Sequence, residues 1–261
     1  MLARFGAGLL VAGAIACAAW RAGSLSASGA VAATLVGGAS VAGGWQFGAL
    51  LIAYFIVASA LSALGSDAKA RRTGAIVEKG GARDAAQVLA NGGVFAALAL
   101  ATTAAPTGGV LATAAVGALA ASSADTWGTE IGTLYGGDPR SVLTWRIVPA
   151  GSSGAVSVVG SLAMVAGATF VAFGARLVGL ATPVVAVAAG GTFGAVVDSL
   201  IGARLQERRW CESCERQTER RVHDCGHPTV CAGGVSWMTN DAVNLLATLT
   251  GAAATAAFVT L

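Results

Sequence analysis

The chain has little charge: Asp, Glu, Lys and Arg make up only 11% of its 261 residues, against about 25% in a soluble domain. With 55% hydrophobic residues and a mean hydropathy of +0.72, that shortage excludes a water-soluble surface. It leaves a polytopic membrane protein. Aromatic residues are also scarce, at 6%, and the bulk is replaced by 37 glycines. In lipid no hydrophobic force drives helices together, so small residues that let backbones approach are the natural means of packing. Histidine occurs only twice, at His223 and His227, which excludes a histidine general base within the apolar part. No Gly-Lys-Ser/Thr ending follows any glycine-rich turn, so there is no Walker loop. No cleavable leader is evident in the first run, and no nucleic-acid partner is expected.

What is present is a series of apolar windows long enough to cross about 30 Å of hydrocarbon. They fall near 2–20, 25–43, 46–65, 85–105, 108–124, 153–175, 178–203 and 237–260. The expected fold is therefore all-α: one transmembrane bundle over 1–261 with about eight spans, seven being the alternative. The polar loops are 66–84, 125–152 and 204–236. Counting eight spans outward from a cytoplasmic 66–84 loop puts fourteen of the sixteen Lys and Arg residues on that side. Only Arg4 and Arg176 fall opposite. The positive-inside rule then predicts both termini outside.

Against this background three carboxylates stand out. Asp125, Asp198 and Asp241 each lie in or beside an apolar run, where an ionisable group costs at least about 2.5–3.5 kcal/mol and is functional by default. In the eight-span frame all three sit at the cytoplasmic boundary. Gln87 and Asn91 join that layer, one helical turn apart on one face, and Asn240 and Asn244 repeat the spacing beside Asp241. Polar residues at one depth favour a membrane-surface active site over an ion path. Around Asp125, the residues Ser122, Ser123, Thr126, Thr129 and Glu130 form a helical polar patch suited to Mg²⁺ and phosphate; a solvated helix end is the alternative. Gly190, Gly194, Asp198 and Gly202 recur every four residues, which aims Asp198 into the bundle unless it pairs with Arg204.

Two loops add to the layer. Arg146 leads into Pro149, Gly151, Ser152, Ser153, Gly154 and Ser157 just ahead of the sixth span. Glycines bring backbone N–H groups close to a ligand, and a following helix N-terminus favours an anion; Arg140 and Arg146 are candidate clamps, and a plain flexible loop is the alternative. In 66–84, Lys79 and Arg83 lie nearest the Gln87–Asn91 face, whereas Arg71 and Arg72 read as topology signals. Finally, Cys211, Cys214, Cys225 and Cys231 cluster in 204–236 with both histidines. That pattern suits a structural Zn²⁺, with Cys231, His223 and His227 competing for the fourth position. Thiols in a cytoplasmic loop stay reduced.

Five stretches taken together resemble the membrane family called domain of unknown function 92, which includes phytyl-phosphate kinases. They are Gly81-Ala-Arg83-Asp84 through Gln87 and Asn91-Gly-Gly, Asp125-Thr126-Trp127 through Glu130, Val148-Pro149-Ala-Gly151-Ser-Ser-Gly154 through Ser157, Asp198-Ser199 with Gly202, and Trp237-Met-Thr-Asn240-Asp241 through Asn244. Where the family often has a Gly-Thr-Asn-Gly-like turn, this chain has Gly-Ser-Ser-Gly, which keeps the backbone role. The resemblance implies phosphoryl transfer from a nucleoside triphosphate, CTP in the plant branch, to an isoprenyl monophosphate. On that reading Asp125, Asp198 and Asp241 hold Mg²⁺, while Asn91, Asn240, Asn244, Thr126, Ser199 and Glu130 orient phosphates or ribose. Lys79, Arg83 and Arg146 neutralise the triphosphate. A cytidylyltransferase-like lipid enzyme and a transporter or flippase of a phosphorylated lipid are the alternatives, and a homo-oligomer is compatible with the sequence.

Overall fold

A computed structural model describes residues 1–74, 76–78, 81–105 and 109–260. Among them are nine helices: α1 (Leu2–Arg21), α2 (Ala27–Gly43), α3 (Trp45–Ala63), α4 (Ser66–Thr73), α5 (Ala85–Ala101), α6 (Gly109–Tyr135), α7 (Val158–Leu177), α8 (Val184–Leu205) and α9 (Asn240–Thr260). Five of these, α1, α3, α7, α8 and α9, are long and apolar enough to cross a membrane. The helices α2 and α5 are apolar but 17 residues each, and α6 is the longest, at 27 residues.

Two expectations are corrected here. The chain is not purely helical, because β1 (Arg140–Ser141) pairs with β2 (Ala155–Val156), and β3 (Arg208–Cys211) lies between β4 (Arg216–Thr218) and β5 (Val230–Gly233) in an antiparallel sheet. Asp125 does not end its helix either, since α6 continues ten residues beyond it to Tyr135. The polar patch around Asp125 is helical as expected, and the alternative of a solvated helix end falls because α6 runs on past Glu130 with α4 and α7 packed against it.

Helix α6 forms the centre. Every residue from Thr113 to Ala124 is buried, and the helix packs on α3, α5, α7, α8 and α9. The close approach has a physical basis in small residues. A Cβ added to Gly117 would stand 2.2 Å from Thr255 Oγ1, and one added to Gly190 would stand 2.1 Å from the same atom. One on Gly191 would meet Ala120 Cβ at 2.5 Å. Backbones of α6, α8 and α9 thus meet at distances that any larger residue forbids. Phe47 and Phe95 close the core edge-to-face, with ring centroids 5.9 Å apart.

The termini of these helices are fixed locally. Ser26 Oγ accepts from Gly29 N at 3.1 Å at the start of α2, and Ser157 Oγ accepts from Gly160 N at 3.1 Å at the start of α7. A full capping box opens α5: Gln87 N donates to Asp84 Oδ1 at 3.0 Å and Asp84 N donates to Gln87 Oε1 at 3.1 Å. These caps set the ends of the helices that surround the polar end of the bundle.

Candidate functional site

One cavity of about 920 Å³ runs from the polar end of the bundle into its apolar interior. Asp125 of α6, Asp198 of α8 and Asp241 of α9 all line it, so the three aspartates that are far apart in sequence share one wall. Arg83, Gln87, Asn91, Thr126, Glu130, Gly151, Ser152, Ser153, Gly154, Ser157, Ser199, Asn240 and Asn244 line it as well. Away from these groups the cavity passes between Val11 and Ile15 of α1 and Leu51, Ile52 and Phe55 of α3. It is a polar head joined to an apolar arm.

Asp125, Asp198 and Glu130 bring three carboxyl groups to the same cavity. Asp198 Oδ1 is buried and has no hydrogen-bond partner among the described residues, an arrangement that costs on the order of 1–3 kcal/mol unless something binds there. Hard carboxylate oxygens around a polar cavity fit Mg²⁺, which takes one or two carboxylates and completes its shell with phosphate and water.

Several expected ligands are already engaged in holding the structure. Asn91 Nδ2 donates to Gln87 O at 2.9 Å, and its Oδ1 accepts from Ser122 Oγ at 2.8 Å. Tyr54 adds a 2.7 Å hydrogen bond to Ser122. Gln87 and Ser157 serve as caps, and Ser199 Oγ donates back to Ala195 O at 3.3 Å. Glu130 is in an ion pair with Lys69 and accepts from Ser62 Oγ at 2.6 Å. These side chains line the cavity while spending their strongest hydrogen bonds on the protein.

The glycine–serine loop has the backbone freedom its sequence suggests. Gly151 and Gly154 have φ of +89° and +72°, in the left-handed region. Ala155 N closes one turn on Ser152 O at 3.0 Å, and Val142 N donates to Gly154 O at 3.0 Å. Space is tight as well, since a Cβ on Gly154 would sit 2.3 Å from Ala203 Cβ of α8.

Arg146 is a correction. It is exposed and absent from the cavity wall; its carbonyl accepts from Ser141 N at 2.9 Å in the turn that brings β1 back. Arg140 likewise donates to Trp145 O at 2.8 Å. The Arg140 side chain is thus turned onto its own loop, while Arg146 stays exposed. Lys79 lies outside the described residues. The cations that do line the cavity are Lys69, Arg72, Arg83 and Arg220. Arg72 donates to the carbonyls of Thr133 and Gly137, and Arg83 donates to Ser62 Oγ at 2.9 Å. Those partners are neutral, so positive charge remains at the cavity wall. Lys69 and Arg72 escape a reading based on topology alone; their signal is helical spacing, because α4 turns both toward α6.

Two further groups come from the 204–236 segment. Glu219 lines the cavity, accepts from Ser153 Oγ and accepts from Gln206 Nε2 at 2.9 Å. Burial pushes its carboxyl up to about 7, with the Glu78 charge adding to the rise and the Ser153 hydrogen bond opposing it. Beside it, Arg220 Nε donates to Val77 O at 2.9 Å and Glu219 N donates to Ile76 O at 2.8 Å. The segment is thereby pinned to residues 76–78. Farther along, Cys211, Cys214, Cys225 and His223 gather, and Cys231 lies outside that group with its Sγ 3.8 Å from Gly233 O. The backbone N–H of His227, with the His223 and His227 side chains, brings the Cys225 thiol down to about 5.

A multi-pass helical membrane protein with a carboxylate-lined cavity is the class this architecture defines. The chain belongs to the integral membrane protein DUF92 family, whose model matches residues 10–252. It is 30% identical to Protein PGR of Arabidopsis thaliana over 269 aligned positions, covering 92% of this chain and 91% of that protein. An uncharacterised membrane protein of Synechocystis is 29% identical, over 80% of this chain and 72% of its own length. One from Methanocaldococcus jannaschii is 36% identical over 36% of this chain and 40% of its own. No solved structure matches the chain.

Proposed function

We propose that the protein is a CTP-dependent kinase of an isoprenyl or polyprenyl monophosphate. One observation carries the reading: a single cavity joins Asp125, Asp198, Asp241 and the Gly151–Gly154 loop to an arm lined by Val11, Ile15, Leu51 and Phe55. An amphiphile with a phosphate head and a branched hydrocarbon tail matches both halves. CTP as donor comes from the family resemblance.

The chemistry asks little of side-chain bases. A phosphate-monoester oxygen is already anionic near neutral pH, so it attacks the γ-phosphorus of the nucleotide without prior proton removal. The new P–O bond forms as the bond to the β-phosphate oxygen breaks, and CDP leaves. Asp125, Asp198 and Asp241 would hold Mg²⁺, which supplies charge neutralisation of the triphosphate. Arg83 and Arg72 would neutralise the phosphates directly, and the N–H groups of the Gly151–Gly154 loop would contact the transferring group. The tail in the apolar arm would fix the acceptor and keep water from competing.

In the membrane we place α1, α2, α3, α5, α6, α7, α8 and α9 as eight spans, with the cavity's polar end facing the cytoplasm and the termini outside. The fourteen-to-two division of Lys and Arg supports this orientation.

The test uses detergent-purified protein, Mg²⁺, each of the four nucleoside triphosphates and a panel of isoprenyl monophosphates. Conversion to the diphosphate with release of CDP is expected. Pyrophosphate release instead would establish the cytidylyltransferase reading, and lipid translocation in liposomes without nucleotide would establish a transporter. Absence of turnover across the panel, from protein that melts cooperatively, would remove the kinase reading.

A further inference from the structure

The segment between α8 and α9 folds into a small sheet that has almost nothing apolar inside it. Its buried residues are Gln206, Glu207, Cys211, Thr218, His223, Thr229 and Met238; Met238 lies beyond β5, and Cys211 is the one apolar side chain among those within the sheet and its turns. Trp210, Val222 and Val230 are exposed. Strands of four, three and four residues without a hydrophobic core do not hold a shape alone, and small folds of this kind are fastened by disulfides or metals.

Two turns bring the fastening groups together. Cys211 ends β3, Cys214 lies in the tight turn that leads to β4, and Glu215 completes that turn with φ of +50°. The second turn is closed by His223 N donating to His227 O at 3.0 Å and Gly226 N donating to His223 O at 2.8 Å, with Gly226 at φ +83°. It presents His223 and Cys225 to the first turn. Cys211 Sγ and Cys225 Sγ are 3.6 Å apart, and His223 Nδ1 is 3.3 Å from Cys225 Sγ. All four donor atoms lie within 4.8 Å of one another.

We infer that Cys211, Cys214, Cys225 and His223 form a structural Zn²⁺ site that holds this segment against the cavity. Tetrahedral zinc with bonds of about 2.3 Å to sulfur and about 2.0–2.1 Å to nitrogen puts its sulfurs about 3.8 Å apart and its sulfur and nitrogen about 3.5 Å apart. The observed 3.6 and 3.3 Å match that frame. They do not match a disulfide, whose sulfurs are about 2.05 Å apart. Three thiolates and one imidazole form a closed donor set with no position for water, which marks the site as structural. Cys231 takes no part, and His223 rather than Cys231 supplies the fourth donor. The inference does not depend on the kinase reading.

The site has a consequence for the cavity. Glu219 and Arg220 follow β4 directly, line the cavity and bind the backbone of residues 76 and 77. A metal that locks β3 to the turn before β5 therefore fixes part of the cavity wall.

Metal analysis of the full-length protein, purified without chelator, tests this. About one zinc per chain is expected, with at least a tenfold fall in C211S, C214S, C225S and H223A and full retention in C231S and H227A. Wild-type protein gives a second readout that needs no variant. Titration of its thiols with a mercurial should release the zinc stoichiometrically, and trypsin should then cut at Arg208–Arg221 at least tenfold faster. Substitution by Co²⁺ should give the intense visible bands of a tetrahedral thiolate site. Less than about 0.2 zinc per chain, both as purified and after incubation with Zn²⁺, would overturn the proposal. Retention in H223A with loss in C231S would overturn the assignment of the fourth donor.

Discussion

The Lys69 ammonium reaches from α4 to the Glu130 carboxylate on α6 and also donates to Leu61 O and Ser62 O, both at 2.8 Å. All three of its donors are used, and the side chain is almost fully buried, with Lys69 8% exposed. The pair joins the end of α3, the short α4 and the part of α6 beyond Asp125. It also ties Glu130, acidic and set among candidate ligands, into the packing of α3, α4 and α6.

Lys69→Met should therefore destabilise the protein by about 3–5 kcal/mol, because it strands a buried carboxylate and two carbonyls. Glu130→Leu alone should cost a similar amount by stranding the ammonium. The double variant should regain much of the loss, with a coupling of about 0.5–3 kcal/mol. Thermal melts of the four proteins in one detergent measure this cycle. Additive losses would show that the pair contributes nothing as a pair.

Asp198 has the opposite logic. Its Oδ1 is buried without a hydrogen-bond partner among the described residues, so the carboxylate is a stability cost that a bound ligand would offset. Asp198→Asn should stabilise the ligand-free protein by on the order of 1 kcal/mol and so raise its melting temperature, because a neutral amide is cheaper to bury than a charge. On the proposed function Mg²⁺ and CTP should stabilise the wild type and Asp198→Asn should lose that response, since a ligand stabilises in proportion to its affinity. On the proposed kinase reading turnover should fall by about 10–100-fold or more, the loss of an outer-shell partner of a metal already costing about that much. A variant that is less stable alone and still responds fully to Mg²⁺ and CTP would show that Asp198 is structural.

The helices and the convergence of the three aspartates were legible in the sequence because both depend on local signals. Apolar length places α1, α3, α7, α8 and α9, and the four-residue glycine spacing on α8 turns Asp198 inward to the cavity that Asp125 also lines. The engagement of Asn91, Gln87 and Ser157 was not legible. Whether such a side chain binds substrate or the protein depends on which donors lie nearby: the Ser122 hydroxyl of α6 for Asn91, and the backbone N–H groups of the helix starts for Gln87 and Ser157. Arg146 is a further case: its position in sequence suits a clamp, yet the loop leaves it exposed and off the cavity wall. Lys69 and Glu219 show the reverse case. Each is an ordinary loop charge in sequence and becomes part of the cavity wall through a contact 61 or 66 residues away.

Glu219 gives the pH dependence a definite sign. Its carboxyl stands at about 7 in the folded protein, above an ordinary value of 4.5, and burial is the main cause. An acid whose folded value is raised holds its proton in the folded state after the unfolded chain has released it. Its contribution to stability is thus fully present below about pH 4.5 and is lost as the pH rises through about 7. Between pH 5 and pH 8 the wild type should therefore lose stability relative to Glu219→Gln, by on the order of 2 kcal/mol across the window. The neutral amide keeps an acceptor for Ser153 and Gln206 and has no proton to release, so its own profile through that window should be flat in this respect. Ser153→Ala removes a hydrogen bond that favours the charged form, and it should move the midpoint of the wild-type loss to higher pH. Thermal midpoints of the three proteins, read at half-unit intervals of pH, measure both effects. Parallel curves for the wild type and Glu219→Gln would show that Glu219 is ionised throughout the range and that Ser153 and Gln206 outweigh its burial.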